Sequence, residues 1–203
     1  ANTLIPLPAA DSFETMFGDT EIVQELEEIR TRYFTASNED KPALKSQFEA
    51  LQKKLFTFLT QNKDILSNPN SRMALLASWK PFDDETSGWF DIKMMFGVMD
   101  GFDVVIGNPP YIGSKGNENI FHKVTNTLFG QKYFERWMDY FYFFFHLGLN
   151  ILIDNGVLCF ITTNYFLTST GGKKLRFDFY SRSEILELIN FNELKIFEAA
   201  TGQ

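Results

Sequence analysis

Four consecutive residues bring an amide and an aromatic ring to the end of an apolar run in this 203-residue sequence. Asn108-Pro109-Pro110-Tyr111 follows Phe102 to Ile106, a β-branched apolar run typical of a parallel strand that is covered on both faces. The prolines lack a backbone N–H, and each disfavours helical geometry in the residue before it. The pattern predicts a stiff loop at the carboxyl end of a strand, where ligands of open α/β sheets bind.

Two helices are predicted upstream of this loop. Apolar residues recur at helical spacing between residues 20 and 35 and again between residues 42 and 61, and Pro42 lies where the second helix would start. The short polar linker between them predicts an antiparallel helical hairpin. A loop-rich passage then leads to the strand at Phe102.

Strands and helices alternate after the loop. The predicted elements are a helix over Tyr133 to Ile153 that ends at Asn155-Gly156, a strand over Val157 to Thr163, a basic helix over Lys173 to Ser181 after Gly171-Gly172, and a strand over Ile185 to Ile189. Strand–helix–strand units of this kind predict an α/β fold with a parallel sheet.

Composition excludes several classes of function. A net charge of −7 argues against a free-standing nucleic-acid binder, although the acidity is concentrated in residues 1–100, which carry 10 basic and 16 acidic groups against 9 and 10 in the remainder. Cys159 is the single cysteine, so no internal disulfide forms, which predicts a reducing, cytoplasmic location. Its apolar neighbours in the sequence predict a buried thiol. His122 and His146 are far apart and have no cysteine partners, so no metal site is predicted.

No membrane span is predicted either. The best candidate, Trp137 to Ile153, contains Asp139, His146 and Asn150 and is shorter than the roughly 20 apolar residues that a spanning helix needs. We interpret it as a core helix.

Asn108-Pro109-Pro110-Tyr111 after an apolar strand resembles the catalytic motif of amino-methyltransferases that use S-adenosylmethionine, above all the N6-adenine DNA methyltransferases. Further motifs of that domain are matched in order along the chain. They are Ala1-Asn2-Thr3-Leu4, Asp139-Tyr140-Phe141 at the start of the long helix, Asn155-Gly156-Val157 before the next strand, and Phe191 to Glu198 near the end.

The residues upstream of the motif indicate a subfamily. The 107 residues that precede Asn108 contain no Gly-x-Gly turn, whereas compact relatives keep a glycine-rich cofactor loop close upstream. The arrangement resembles the methylase domain of large type IIG restriction-modification proteins or phage-defence methylases. We therefore expect an excised part of a larger protein, with a cofactor-binding segment upstream and a target-recognition domain downstream.

The resemblance implies a partial Rossmann-like methyltransferase domain with a helical hairpin insertion. Residues 1–19 would belong to the cofactor-binding half, residues 20–65 would be the hairpin, and residues 66–203 would be the catalytic half. The chain alone would be inactive. Duplex DNA with a flipped adenine would be the partner, and S-adenosylmethionine the cofactor.

The resemblance also implies roles for individual residues. The Asn108 side chain and the Pro109 carbonyl would accept the hydrogens of the target amine. Tyr111 and Phe197 would stack on the flipped base; Phe191 is expected in the core instead. The cofactor would contact Asn2, Asn108, Pro110 and Asp139, although Asp139 could instead only interact favourably with the helix dipole.

DNA phosphates would contact Lys173, Lys174 and Arg176. These three residues could equally form a solvated helix face.

Two alternatives stay open. A compact methyltransferase acting on a release-factor glutamine or an RNA guanine shares the Asn-Pro-Pro-Tyr motif. A non-catalytic scaffold segment would need none of its chemistry, and Asn108→Ala would then leave methylation by the full-length protein unchanged.

Overall fold

A computed structural model of the chain describes residues 2–9, 20–61, 68–83, 85–192 and 194. These residues form helices and a small sheet, and the chain divides into two compact units, Ala1–Phe102 and Asp103–Gln203. The predicted combination of helices and a parallel sheet is confirmed in this general form.

The first unit is built on two long helices, α1 (Thr20–Thr35) and α2 (Lys41–Gln61), close to the predicted bounds. They pack against each other, and the Ser37 hydroxyl in the linker donates to the Asp40 carboxylate at 2.7 Å. Their buried faces supply half of the buried members of one apolar cluster. Its members from the two helices are Leu26, Ile29, Leu44, Phe48, Leu51, Leu55 and Leu59.

Two short helices occupy the passage that the sequence indicated only as loop-rich. α3 (Arg72–Ala77) begins where Ser71 Oγ accepts from a backbone amide, and α4 (Ile92–Phe96) ends at Gly97 with φ 74°. The buried Arg30 of α1 donates from Nη2 to the Lys93 carbonyl of α4 at 2.8 Å. A Cβ at Gly97 would lie 2.3 Å from Arg30 Nη1, so this turn requires glycine for both its backbone angle and its space.

The second unit places two strands among helices. Its elements are β1 (Phe102–Gly107, beginning at the boundary between the units), α5 (Glu118–Thr125), α6 (Leu128–Tyr133), α7 (Phe141–Ile151), β2 (Leu152–Phe160) and α8 (Lys173–Arg182), with short 3₁₀ turns at Asn164–Leu167 and Thr170–Gly172. The buried side chains of α7 are mostly aromatic. α7 is therefore a core helix, as predicted for this part of the chain.

β1 and β2 are parallel neighbours. Gly156 lies against the Asp103 carbonyl near the start of β1, and Ile161 N donates to the Gly107 carbonyl at its end, at 3.2 Å. The prediction that β1 is covered on both faces was wrong, since Val104 and Ile106 are 57% and 75% exposed. Among the described residues the sheet has only these two strands, and no element covers those side chains.

α7 covers one face of β2. Leu158 approaches Gly148, and the rings of Phe160 and Phe145 have centroids 5.0 Å apart. Side chains alternate along a strand, so Cys159 points to the other face. Its thiol is exposed, which corrects the predicted burial.

The helix predicted over residues 133–153 forms only over residues 141–151, apart from Tyr133 at the end of α6. A turn over residues 134–140 separates α6 from α7, and Trp137 within it has φ 63°. α7 then passes directly into β2, so Asn155, at φ 64°, lies inside a strand and does not cap the helix. The helix was predicted to continue through the turn because apolar and aromatic residues recur within it.

The strand predicted over Ile185 to Ile189 is absent; the segment has no regular secondary structure, and its apolar side chains are exposed. A strand needs a hydrogen-bonded neighbour, and none of the described residues pairs with it. In the part of the chain that is described, no helix is long and apolar enough to cross a membrane.

Candidate active site

The motif loop emerges from the carboxyl end of β1 and is fastened to the end of β2. Tyr111 Oη lies 2.5 Å from Asn108 Oδ1 and 3.0 Å from the Ile161 carbonyl oxygen, just after β2. Its single phenol proton is directed toward these two acceptors. The loop thus joins the carboxyl ends of both parallel strands, as expected for a ligand site in an open α/β sheet.

Packing fixes the orientation of the Tyr111 ring. The ring meets the fully buried Phe141 edge-on, with centroids 6.1 Å apart and planes at 87°. Pro109 is buried, whereas Asn108, Pro110 and Tyr111 are exposed. Partial burial raises the pKa of Tyr111 above its ordinary value, so the phenol keeps its proton at neutral pH. The motif therefore presents an anchored ring and an amide to solvent.

Asp139 clamps the residues that follow the motif to the start of α7. Its Oδ1 accepts from Ile112 N at 2.9 Å, and Tyr140 N donates to the Ile112 carbonyl at 2.8 Å. Burial raises the pKa of Asp139 above its usual value, while hydrogen bonds from the amides of Ile112, Phe141 and Tyr140 act in the opposite direction. Asp139 thus orders the motif loop at the start of α7, and its predicted contact with the cofactor stays a prediction.

The other predicted cofactor residues lie in different surroundings. Asn108 and Pro110 are exposed at the carboxyl end of β1, a location that suits contact with a small molecule. Asn2 belongs to the first unit, where its backbone N–H donates to the Ser87 carbonyl at 2.9 Å and its Oδ1 accepts from Leu4 N at 3.4 Å. The contact of Asn2 with the cofactor stays a prediction.

Two of the three predicted phosphate contacts are engaged within the protein. Lys174 Nζ donates to the carbonyls of Lys132 and Phe134 at 2.7 and 2.9 Å, at the end of α6. Arg176 Nη1 donates to the carbonyls of Phe166 and Ser169. Lys173 is exposed. Their role toward DNA stays a prediction; Arg176 would have to exchange its contacts to fulfil it.

A buried polar network fixes α7 against α8 beneath the site. His146 Nδ1 lies 2.7 Å from Asp178 Oδ2, and Arg182 Nη1 lies 3.2 Å from both carboxylate oxygens of Asp178. The Tyr133 ring stacks on His146, with centroids 4.0 Å apart. Burial lowers the pKa of His146, against the opposing effect of Asp178. A neutral imidazole that donates from Nδ1 satisfies this geometry.

Sequence reasoning missed two features of the site, and one residue that it named is not among the described residues. The Ile161 carbonyl is a backbone group, and no side-chain pattern reveals it. The contact of Asp139 with Ile112 is also invisible in the sequence, because it joins two segments that lie far apart along the chain. Phe197, the predicted second wall of the base pocket, lies outside the described residues.

Comparisons with known proteins agree with the motif. The family model of the Eco57I restriction-modification methylase matches residues 20–197. The chain belongs to this family, which confirms the predicted resemblance to the domain of N6-adenine DNA methyltransferases.

Individual relatives share about 30% identity with half of the chain. The type II methyltransferase M.HincII of Haemophilus influenzae is 30% identical over 102 residues, which are 50% of this chain and 20% of that protein. The type II restriction enzyme and methyltransferase RM.Eco57I of Escherichia coli is 31% identical over 103 residues, 49% of this chain and 10% of that protein. The matched part is thus a small fraction of each relative. No solved structure matches the chain significantly.

Proposed function

We propose that this chain is the catalytic part of a DNA methyltransferase that methylates the N6 amine of an adenine. The observation that carries the proposal is the position of Asn108: its side-chain oxygen is exposed at the carboxyl end of β1 and is already in contact with an O–H donor, Tyr111. Membership of the methylase family and the relatives' names support methyl transfer and DNA.

The motif residues suit an aromatic amine. The lone pair of such an amine is delocalised into the ring, which makes it a weak nucleophile. Asn108 Oδ1 and the Pro109 carbonyl accept the two amine hydrogens, which favours the tetrahedral nitrogen that attacks the methyl group. The amine becomes acidic as it is methylated, so no strong general base is needed.

Binding of the amine requires an exchange at Asn108. In the structure the Tyr111 phenol donates to the oxygen that the amine would use. The amine N–H replaces this donor or shares the second lone pair of the oxygen, and the Ile161 carbonyl remains as an acceptor for the phenol. The ring can therefore stay anchored to β2 while the base enters.

The adenine must leave the duplex to reach this loop, at a cost of a few kcal/mol. Stacking on Tyr111 offsets about 1 to 3 kcal/mol of that cost. We propose Phe197 as the second wall, on the opposite face of the base. A base held on both faces presents its amine edge to Asn108.

S-adenosylmethionine is the proposed cofactor and supplies an electrophilic methyl group. Asn108 and Pro110 would contact it from the motif loop, Asp139 would frame the pocket, and Asn2 would contact its adenine. A Rossmann-like domain with residues 20–65 as an insertion, completed by segments of a longer protein, fits this arrangement. That parent would be a restriction-modification or phage-defence protein in which residues outside this chain recognise the DNA sequence.

Substrate class is tested by offering competing substrates to the full-length protein. The protein is incubated with S-adenosylmethionine carrying a labelled methyl group and with unmethylated plasmid DNA, transfer RNA or release factor in separate reactions. We expect label in DNA, and N6-methyladenine after digestion to nucleosides. Label only in RNA or release factor would favour the compact methyltransferases, and no label in any substrate would favour a scaffold.

A further inference from the structure

An exposed tryptophan projects from the turn that separates α6 from α7. Trp137 is 62% exposed and has φ 63°. Positive φ is disfavoured for a bulky residue, and such outliers persist where the surrounding structure holds them, often at functional sites. Trp137 thus combines a disfavoured backbone conformation with a large apolar side chain that is exposed to water, a combination that indicates a functional role.

The turn is held rigidly beside the residues that follow the catalytic motif. Met138, next to Trp137, accepts from Ser114 N at 3.2 Å through its carbonyl oxygen. On the other side, a Cβ added to Gly171 would lie 2.6 Å from the Trp137 carbonyl carbon and oxygen. Because both contacts involve backbone atoms, they position the main chain of the turn that carries the tryptophan.

One cation is known to lie against this ring. The Arg136 guanidinium lies 4.5 Å from the centre of the Trp137 ring. Lys174 reaches the carbonyls of Lys132 and Phe134, and this contact places α8 beside the turn. The surface that we call the basic aromatic patch consists of Lys132, Arg136, Trp137, Lys173 and Lys174, all exposed.

The charge of the patch differs from that of the whole chain. It holds four cations, and the acidic residue known to lie among them is Glu135, whose Oε2 accepts from Lys174 N at the start of α8. The local charge is therefore positive in a chain of net charge −7. The described side-chain partners of these cations are carbonyl groups and an aromatic ring, and none of them is an acidic side chain.

We propose that the basic aromatic patch binds the DNA substrate next to the target adenine. Lys132, Arg136 and Lys173 contact phosphates, and the Trp137 ring stacks on a base that is exposed when the adenine leaves the helix. Clustered cations with an accessible aromatic ring are the combination that binds nucleic acid strands. The inference rests on the proposed function, and it adds Arg136 and Trp137 to the residues that contact DNA.

Binding measurements on the full-length protein test the patch. Anisotropy of a fluorescein-labelled duplex, cut from the unmethylated plasmid that is used in the methylation assay, is recorded over a series of NaCl concentrations. We expect Trp137→Ala to weaken binding about 5- to 150-fold without changing the salt slope, and Trp137→Phe to retain most of the affinity. Arg136→Gln should lower the salt slope by about 1.

Matched controls separate the patch from general effects. Phe34→Ala removes an exposed ring of α1, and Lys53→Gln removes an exposed cation of α2; both should bind as the wild type does. Wild-type affinity of Trp137→Ala, or an equal loss in Phe34→Ala, would overturn the proposal. A lower melting temperature of Trp137→Ala with unchanged binding would also overturn it, and would show that the ring packs on another part of the protein.

Failure of the patch is distinguishable from failure of the proposed function. If the wild type methylates adenine in DNA and Trp137→Ala binds normally, only the patch is wrong. If the wild type binds the duplex through Trp137 but transfers no methyl group, the patch stands and the proposed reaction is wrong.

Discussion

The Tyr111 phenol oxygen lies 2.5 Å from the side-chain oxygen of Asn108, so two residues of one motif are already joined by a hydrogen bond. The ring and the hydroxyl of Tyr111 have separable tasks. Phe141 and the Ile161 carbonyl orient the ring, and the hydroxyl occupies the acceptor that a target amine would use.

Substitutions at Tyr111 separate these tasks. We expect Tyr111→Ala to weaken extrusion of a fluorescent adenine analogue at the target site about 5- to 150-fold, because a stacked ring is lost. Tyr111→Phe keeps the ring and should change extrusion by less than about fivefold, since a hydrogen bond contributes about 1 kcal/mol. Equal losses for the two variants would contradict the stacking role.

Phe197→Ala tests the second wall of the base pocket. If Phe197 stacks on the free face of the adenine, its removal should weaken extrusion of the same analogue by about 1 to 3 kcal/mol, with the melting temperature little changed. Phe191 was predicted to lie in the core, but it is exposed in the structure, so Phe191→Ala is the matched control and should leave both extrusion and the melting temperature little changed. Normal extrusion in Phe197→Ala would remove this residue from the pocket.

Asp139 substitutions distinguish a clamp from a cofactor contact. Asp139→Ala loses the acceptor for Ile112 N and should lower the free energy of unfolding by about 0.5 to 1.5 kcal/mol, the usual contribution of one intramolecular hydrogen bond. Asp139→Asn keeps an acceptor oxygen and should lower it less. Calorimetry with S-adenosylmethionine on the full-length Asp139→Asn protein then isolates the contribution of the Asp139 charge to cofactor affinity. Weaker binding at unchanged stability supports a cofactor contact. Unchanged binding supports a clamp alone.

His146 should make stability depend on pH. Because burial lowers its pKa, the unfolded chain binds a proton near pH 6.5 while the folded protein does not. The free energy of unfolding should therefore be highest above pH 6.5 and fall as the pH drops below it toward the lowered pKa.

Thermal unfolding between pH 5 and 8, about the range in which histidine titrates, checks this prediction. His146→Asn, whose amide can replace Nδ1 as the donor to Asp178, should be less stable but less sensitive to acid. His122→Asn removes an exposed histidine and should keep the wild-type pH dependence. An unchanged slope in His146→Asn would show that another group titrates.

Local sequence signals predicted some elements well. α1 and α2 were predicted to within a residue because apolar periodicity, Pro42 and a polar linker all agree. The loop after β1 was predicted because two prolines leave the backbone few choices. The family followed from the same four residues.

Long-range contacts limited the remaining predictions. The turn around Trp137 depends on backbone contacts with Ser114 and Gly171, which no local pattern encodes. Ile185 to Ile189 has the composition of a strand, but strand formation depends on a partner that the described residues do not supply. The exposed Cys159 likewise depends on which face of β2 is covered by α7.

Asn108→Ala provides the most direct test of the proposed reaction, because it removes the side-chain acceptor while the two prolines still restrict the backbone of the loop. The measurement is N6-methyladenine in unmethylated plasmid DNA after incubation with S-adenosylmethionine and the full-length protein, with the exposed Asn126→Ala as the matched control. We expect N6-methyladenine with the wild type and Asn126→Ala, and almost none with Asn108→Ala at an unchanged melting temperature. Wild-type levels of N6-methyladenine with Asn108→Ala would contradict the assignment of the active site.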